Sequence, residues 1–427
     1  MARPRLLFVS PQFLFPADTG GKIRSGGILR GMKGGFFEIT LVSPATSNQP
    51  QRFVRELNGI CDRYLFWPVR ERERVTGAVS RLAALMSALP ASVALDRSRA
   101  AKRVIAQAMA TRPDVVVADF VHSAVLFDEI PHRCSVMLTH NVEAEIFARH
   151  ARIAENPLAR LIWNAQRRKM QEFEARHLPA FAKVVAVSER DLGFFLETYG
   201  VRGAEVIPTG VDFDYFGAVA TPPAAMVAPR GGELVFTGSM NWPANIDAIQ
   251  YFMNQIWSRI AAMRPEARLT VVGRDPPRSL VDRARARGLN WRFTGFVDDV
   301  RPFIRDADIY VVPLRVGGGT RIKIYEAMAM RRPVVSTAVG VEGLPVEPGN
   351  HYRRADTAEA FADAVLGLLA APAQAADMAE NAYDFVLKRY AMRRVARAFE
   401  EICKQVVERA SRDQDPSQPA ACLALAD

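Results

Sequence analysis

The stretch GGGTRIKIYEAMA, residues 317–329, sets three glycines against Arg321, Lys323 and Glu326. It follows an apolar run, IYVVPL, and opens a segment with helical spacing, so it reads as a strand-to-helix turn. Glycine lets backbone N–H groups approach an anion closely, and the helix N-terminus adds the positive end of its dipole. Gly318, Gly319, Thr320, Arg321 and Lys323 therefore suit a diphosphate. Glu326, one turn into the helix, suits paired hydroxyls such as a ribose diol. A solvated glycine turn with surface charges would use the same letters; the place directly after a buried strand favours the nucleotide.

Other candidates also follow apolar runs. VMLTHNVEAEIF carries His140, Asn141 and Glu143; VVVADF carries Asp119, with His122 after it. PADTGGKIRSGG carries Gly20, Gly21, Lys22 and Arg24, and FTGS and FTGFV carry Gly238 and Gly295, Phe296 and Val297. Taken singly, a histidine is more often packed than catalytic, and a glycine pair is more often a turn. No GxxxxGK[ST] is present and no strand end carries GxGxxG, which removes the Walker and dinucleotide signatures. Cys61, Cys134, Cys403 and Cys422 form no CxxC pair, so neither a disulfide framework nor a zinc site is expected.

These residues need strands to hold them. The first series of apolar runs is LLFVS, ITLVS, YLFWPV, VVVADF, VMLTH, VVAVS and VIPTG; the second is LVFTGS, LTVVG, WRFTGF, IYVVPL and PVVST. Runs without polar alternation indicate strands buried on both faces, hence parallel sheets covered by helices. At 427 residues the chain exceeds the usual limit of one core, and two tandem doubly wound α/β domains are expected. The expected bounds are 1–215 and 234–390, joined by an Ala, Pro and Gly-rich linker at 216–233. A helix at 391–410 could pack back on the first domain, and 411–427 reads as a disordered tail.

Charge is uneven: residues 1–215 hold 29 Lys and Arg against 22 Asp and Glu, which is +7 of the total +10. Basic residues gather at 74–103 and 149–170 among Leu, Ile and Trp. Amphipathic helices with solvated arginines are the plain explanation; a surface for anionic lipid or a phosphorylated acceptor is the sharper one. No nucleic-acid reader motif accompanies the charge. With no apolar run of roughly 18 residues, the expectation is a cytoplasmic protein, at most peripheral to the inner face of a membrane.

The segments FTGSMNWPANIDAIQYF, TVVGRDP, FTGFVDDVRPFIRDADIYVVPLRVGGGTRIKIYEAMAMRRPVVST and VEGLPVEPGNHY, in this order, resemble the donor domain of retaining glycosyltransferases of family four, in a subgroup with a GGGTRIK-type loop. The resemblance runs strongly over about residues 180–370. It implies the GT-B fold, two Rossmann-like domains facing a cleft, and transfer of a sugar from a nucleoside-diphosphate sugar with retained configuration. It implies no cofactor and no metal, and a saccharide or lipid-linked acceptor in surface polysaccharide or glycolipid synthesis. Glu326 matches the second glutamate of the family's Glu, seven residues, Glu motif, which binds the ribose; the first falls on Gly318. The family's Arg and Lys after the first donor-domain strand are also missing from GSMNWPANID, and Arg321 and Lys323 could replace them. Gly295, Phe296 and Val297 match the turn that meets the base. Gly21 matches the glycine loop near the phosphates and His140 the donor-sugar contact, with Asn141 and Gly238 beside the donor. Gly20, Lys22, Asp119 and Glu143 are acceptor-side candidates. A non-catalytic nucleotide-sugar-binding paralogue and a GT-B epimerase remain as alternatives.

Overall fold

The computed structural model describes residues 3–69, 80, 83–154, 156–219, 231–316 and 321–412. Their contacts divide them into two units, Met1–Pro208 with the segment from Arg393 onward, and Thr209–Met392.

In the first unit seven strands, β1 (Arg5–Val9), β2 (Glu38–Ala45), β3 (Arg63–Pro68), β4 (Val115–Asp119), β5 (Ser135–Leu138), β6 (Lys183–Ala186) and β7 (Ala204–Val206), form one parallel sheet. Their order is β3-β2-β1-β4-β5-β6-β7. Every residue of β4 and β5 is buried, as parallel strands covered on both faces must be. The covering helices start where the sequence supplies caps: Ser98 accepts from the Ala101 N–H and Ser188 from the Asp191 N–H. The Glu189–Tyr199 helix ends on Gly200 at φ +63, a left-handed cap that glycine adopts at little cost. The Arg99–Met109 helix buries Ala101, Ile105 and Ala108, one stripe at helical spacing.

The Met392–Arg412 helix belongs to this unit from Arg393 on. It buries Val395, Phe399, Ile402 and Val406, while Glu400 accepts from the Phe36 N–H at 2.8 Å.

The second unit holds β8 (Glu233–Thr237), β9 (Arg268–Val272), β10 (Trp291–Gly295), β11 (Ile309–Val312), β12 (Val334–Ser336) and β13 (Arg353–Arg354), all parallel. Their order is β10-β9-β8-β11-β12-β13. In both sheets strand order reverses beside the first strand, between β1 and β4 and between β8 and β11. Crevices for ligands form at such switch points, outside the carboxyl ends of the strands.

The second unit begins at Thr209, ahead of the boundary at 215 read from the sequence. Of the expected linker, residues 217–219 form a 3-10 turn, Glu233 already opens β8, and 220–230 lie outside the described residues. So do 413–427, nearly all of the expected tail, and residues 74–79 and 81–82 of the basic stretch at 74–103. The run VIPTG is not a strand as such: β7 covers Ala204–Val206, and only Ile207 continues the pairing, its N–H donating to Ala186.

Candidate functional site

In the second unit the Ile322–Ala329 helix starts just past β11, at the switch point. Lys323 reaches from its first turn to the end of β8, where Nζ donates to the Thr237 carbonyl at 3.1 Å and to Asn245 Oδ1 at 3.3 Å. It also lies 4.2 Å from the centre of the Phe236 ring. Burial, then the charge of Arg321, pulls the Lys323 amine down to about 7, against the opposing pull of Glu326. Burial likewise pushes the Glu326 carboxyl up to about 7, with Lys323 opposing. Arg321 is buried at the helix N-cap. A charge pair therefore sits half-desolvated at a helix N-terminus, where a bound anion would restore the ammonium. Gly318, Gly319 and Thr320 lie outside the described residues.

The loops after β8 and β9 touch through their backbones. Gly238 N–H donates to Val272 O at 2.9 Å, and a Cβ on Gly273 would collide with the Gly238 carbonyl group. A Cβ on Gly238 would in turn stand 2.8 Å from Asn245 Nδ2. Gly295 sits at φ +71, a conformation that favours glycine, and its carbonyl accepts from Gly273 N–H at 3.2 Å. Phe296 is 66% exposed, with the Arg274 guanidinium 5.7 Å from its ring centre, while Val297 packs partly on the core.

In the first unit His140 follows β5, and its Nε2 is 2.7 Å from Asp119 Oδ1 at the end of β4. Asp119 also accepts from Ser25 Oγ at Oδ1 and from Ser10 Oγ at Oδ2, both at 2.8 Å. The Phe120 ring lies against the imidazole, centres 4.0 Å apart, from a backbone at φ +61. Burial is the largest influence on His140 and lowers it, with Asp119 opposing. Arg24, fully buried, donates to the Thr139 and Ile207 carbonyls, and desolvation draws it down to about 10.

Asp119, an acceptor-side candidate from the sequence, has a role inside its own unit. It is 0% exposed, and both its oxygens are engaged by side chains of its own unit. Gly21 has a packing reason as well: a Cβ there would meet the Phe120 ring. Gly20 and Gly21 open the Gly20–Met32 helix, Lys22 pairs with Asp18 at 3.0 Å, and Asn141 is half-buried beside His140.

Glu143 opens the Glu143–Ile153 helix, and its carboxylate lies 3.9 Å from His122 Nε2, while His122 Nδ1 meets Asp96 at 3.2 Å. Burial draws His122 down, but Asp96, Glu143 and Glu174 outweigh it and the net shift is up. Glu174 accepts from the Glu143 and Ala144 N–H groups at 2.8 and 3.2 Å and from the Tyr199 hydroxyl at 2.8 Å. Burial raises its carboxyl to about 7. Its folded value exceeds its unfolded one, so its contribution to stability is full below about 4.5 and is lost as pH rises through about 7. Urea unfolding should show this loss, of order 3 kcal/mol, between pH 4.5 and 7.5 in the wild type and a flatter profile in Glu174→Gln. Equal slopes in the two proteins would refute it.

Ser10, Ser25, Phe120, Thr237, Asn245 and Gly273 were not singled out by sequence. Neutral residues scattered over strand ends and helices carry no pattern of their own. Among the described residues no group of three His, Cys, Asp or Glu could hold a metal ion, and no helix is long and apolar enough to cross a membrane.

Residues 231–371 match the family model described as glycosyl transferases group 1. A phosphatidyl-myo-inositol mannosyltransferase of Mycobacterium leprae is 28% identical over 267 residues, 58% of this chain and 68% of that protein. An uncharacterized 44.6 kDa protein in the cps region of Klebsiella pneumoniae is 22% identical over 170 residues, 38% of this chain and 44% of that protein. Among solved structures, Anabaena HepE in complex with UDP and glucose superposes with a TM-score of 0.64 at 15% identity, covering 94% of this chain and 100% of that one. Residues 231–371 thus resemble the group 1 glycosyl transferases, in a chain with the GT-B fold.

Proposed function

We propose that the protein transfers a sugar from a nucleoside-diphosphate sugar to a saccharide or lipid-linked acceptor, with retention of configuration, in surface polysaccharide or glycolipid synthesis. The observation that carries this reading is Lys323, which spans from the helix after β11 to the end of β8 inside the family-matched segment. Two cations are missing from the loop after β8, and Lys323 and Arg321 deliver two from the neighbouring loop to that unit's switch point. The departing diphosphate needs its growing charge met by preorganised donors, worth about 3 to 4 kcal/mol each in oxyanion sites. Lys323, Arg321 and the helix N-terminus suit that task without a metal, Glu326 suits the ribose, and His140 the donor sugar.

Retention requires no protein nucleophile if the acceptor attacks from the leaving-group face and the phosphate assists its deprotonation. A membrane-borne acceptor agrees with the Pro157–His177 helix, which exposes Leu158, Leu161 and Ile162 beside Arg160 and Arg168. The protein would then work in the cytoplasm at the inner membrane face.

A thermal-shift screen of UDP-, GDP- and ADP-sugars tests the reading. One donor should stabilise the protein, by about 2.7 kcal/mol at 100 times its dissociation constant, and should be hydrolysed slowly without acceptor. Binding without hydrolysis or transfer would favour the non-catalytic paralogue, an epimeric product the epimerase, and no binding at all would refute the proposal.

A further inference from the structure

We infer that Asp119 is a positioning residue, which fixes His140 as its Nε2–H tautomer and so makes Nδ1 the atom offered to a hydroxyl of the bound sugar. The inference rests on the nucleotide-sugar reading above for the identity of that hydroxyl. The tautomer follows from hydrogen-bond chemistry alone.

An ionised carboxylate only accepts. Asp119 Oδ2 takes the Ser10 hydroxyl at 2.8 Å, and Oδ1 takes the Ser25 hydroxyl at 2.8 Å and faces His140 Nε2 at 2.7 Å. Ser25 Oγ is also 3.3 Å from Nε2, but its one proton is directed to Asp119. The proton between His140 and Asp119 therefore sits on Nε2. A neutral imidazole protonated there carries its lone pair at Nδ1.

The ring is held in this orientation from several sides. Phe120 stacks on it, and Gly21 leaves the room that Phe120 occupies. Arg24 holds the Thr139 carbonyl, one residue before the histidine. The charged groups acting on His140 are Asp119, Arg24 and Glu143: Arg24 joins burial in lowering it, Asp119 and Glu143 raise it, and the balance is down. The ring accordingly stays neutral near pH 7 and acts as an acceptor at Nδ1.

Histidine-selective nitrogen NMR on the full chain tests the assignment. The wild type should show His140 protonated at Nε2 only, and a sugar nucleotide found to stabilise the protein should shift Nδ1 more than Nε2. In Asp119→Asn the Nδ1–H tautomer should appear. Turnover should fall about 10- to 100-fold with the donor KM within threefold, as for other orienting carboxylates. The acid limb of the rate profile should move to lower pH, because the carboxylate that raises His140 is gone. Ser25→Ala, which keeps the Asp119 bond, should retain the tautomer.

A wild-type ring protonated at Nδ1, or an Asp119→Asn enzyme within threefold of wild-type turnover, would overturn the inference. If Asp119→Asn does not fold, the wild-type spectrum decides. A stabilising sugar nucleotide that leaves Nδ1 unmoved would overturn the sugar contact. If no sugar nucleotide binds, the functional reading fails instead, and the tautomer stands or falls on the ligand-free spectrum.

Discussion

A Lys323→Met protein should bind UDP or GDP about 10- to 150-fold more weakly than the wild type near neutral pH, the worth of one charge-assisted hydrogen bond. Methionine keeps the length and the apolar stem against Phe236, so the loss isolates the ammonium. The pH dependence is the sharper sign. Without ligand, burial and Arg321 hold Lys323 at about 7, so above that pH its amine is increasingly neutral. A diphosphate favours the ammonium, so binding above pH 7 must take up a proton, and affinity should fall by up to tenfold per pH unit.

That alkaline fall should vanish in Lys323→Met. Glu326, held up at about 7 by burial, works in the opposite sense. If the ribose prefers the carboxylate, affinity also falls as pH drops below 7, and Glu326→Gln removes that limb. Because the two groups interact, the observed midpoints belong to the pair. Calorimetry from pH 6 to 9 in buffers of different ionisation heat reads the proton count directly. Near-wild-type affinity in Lys323→Met, or an alkaline limb that survives in it, would sink the diphosphate role.

The strands were legible for a simple physical reason. VVVAD and IYVV are buried over their whole length, so their apolar runs have no polar interruption to confuse with a helix stripe. β13 was invisible because it is two exposed arginines, paired only at the sheet's edge with Val335 and Ser336. The site followed the same division. Lys323, Glu326 and His140 announce themselves as ionisable groups directly after buried runs. Ser10, Ser25 and Asn245 do not, because a hydroxyl or amide acquires its role only from what lies across the sheet. Asp119 was visible as a residue, but sequence gives its charge and not its complete burial. Gly21 was noticed as backbone for a ligand, whereas the Phe120 ring also needs its missing side chain.

Replacing Gly273 by alanine should be among the most disruptive single-methyl changes in the second unit. The added Cβ would collide with the Gly238 carbonyl, with the carbonyl carbon at 2.7 Å and the Ser239 nitrogen at 3.3 Å. All three neighbours are backbone, so no side chain can swing aside. Relief requires the loops after β8 and β9 to part, which strains the Gly238 N–H to Val272 bond and the Gly273 N–H to Gly295 bond. Overpacking of this kind costs about 1–3 kcal/mol. For a unit of this size the melting temperature should drop by roughly 2–4 °C per kcal/mol.

Gly367→Ala is the matched control. Gly367 is exposed within the Ala358–Ala370 helix, and nothing stands within 4 Å of a Cβ there, so alanine should stabilise by up to about 1 kcal/mol. The Gly273 change should also weaken nucleotide binding, since Thr237, whose carbonyl receives Lys323, directly precedes the displaced Gly238. Opposite signs for the two glycines in a melting experiment are the expected result. A Gly273→Ala protein as stable as the wild type would show that the two loops do not need their present contact.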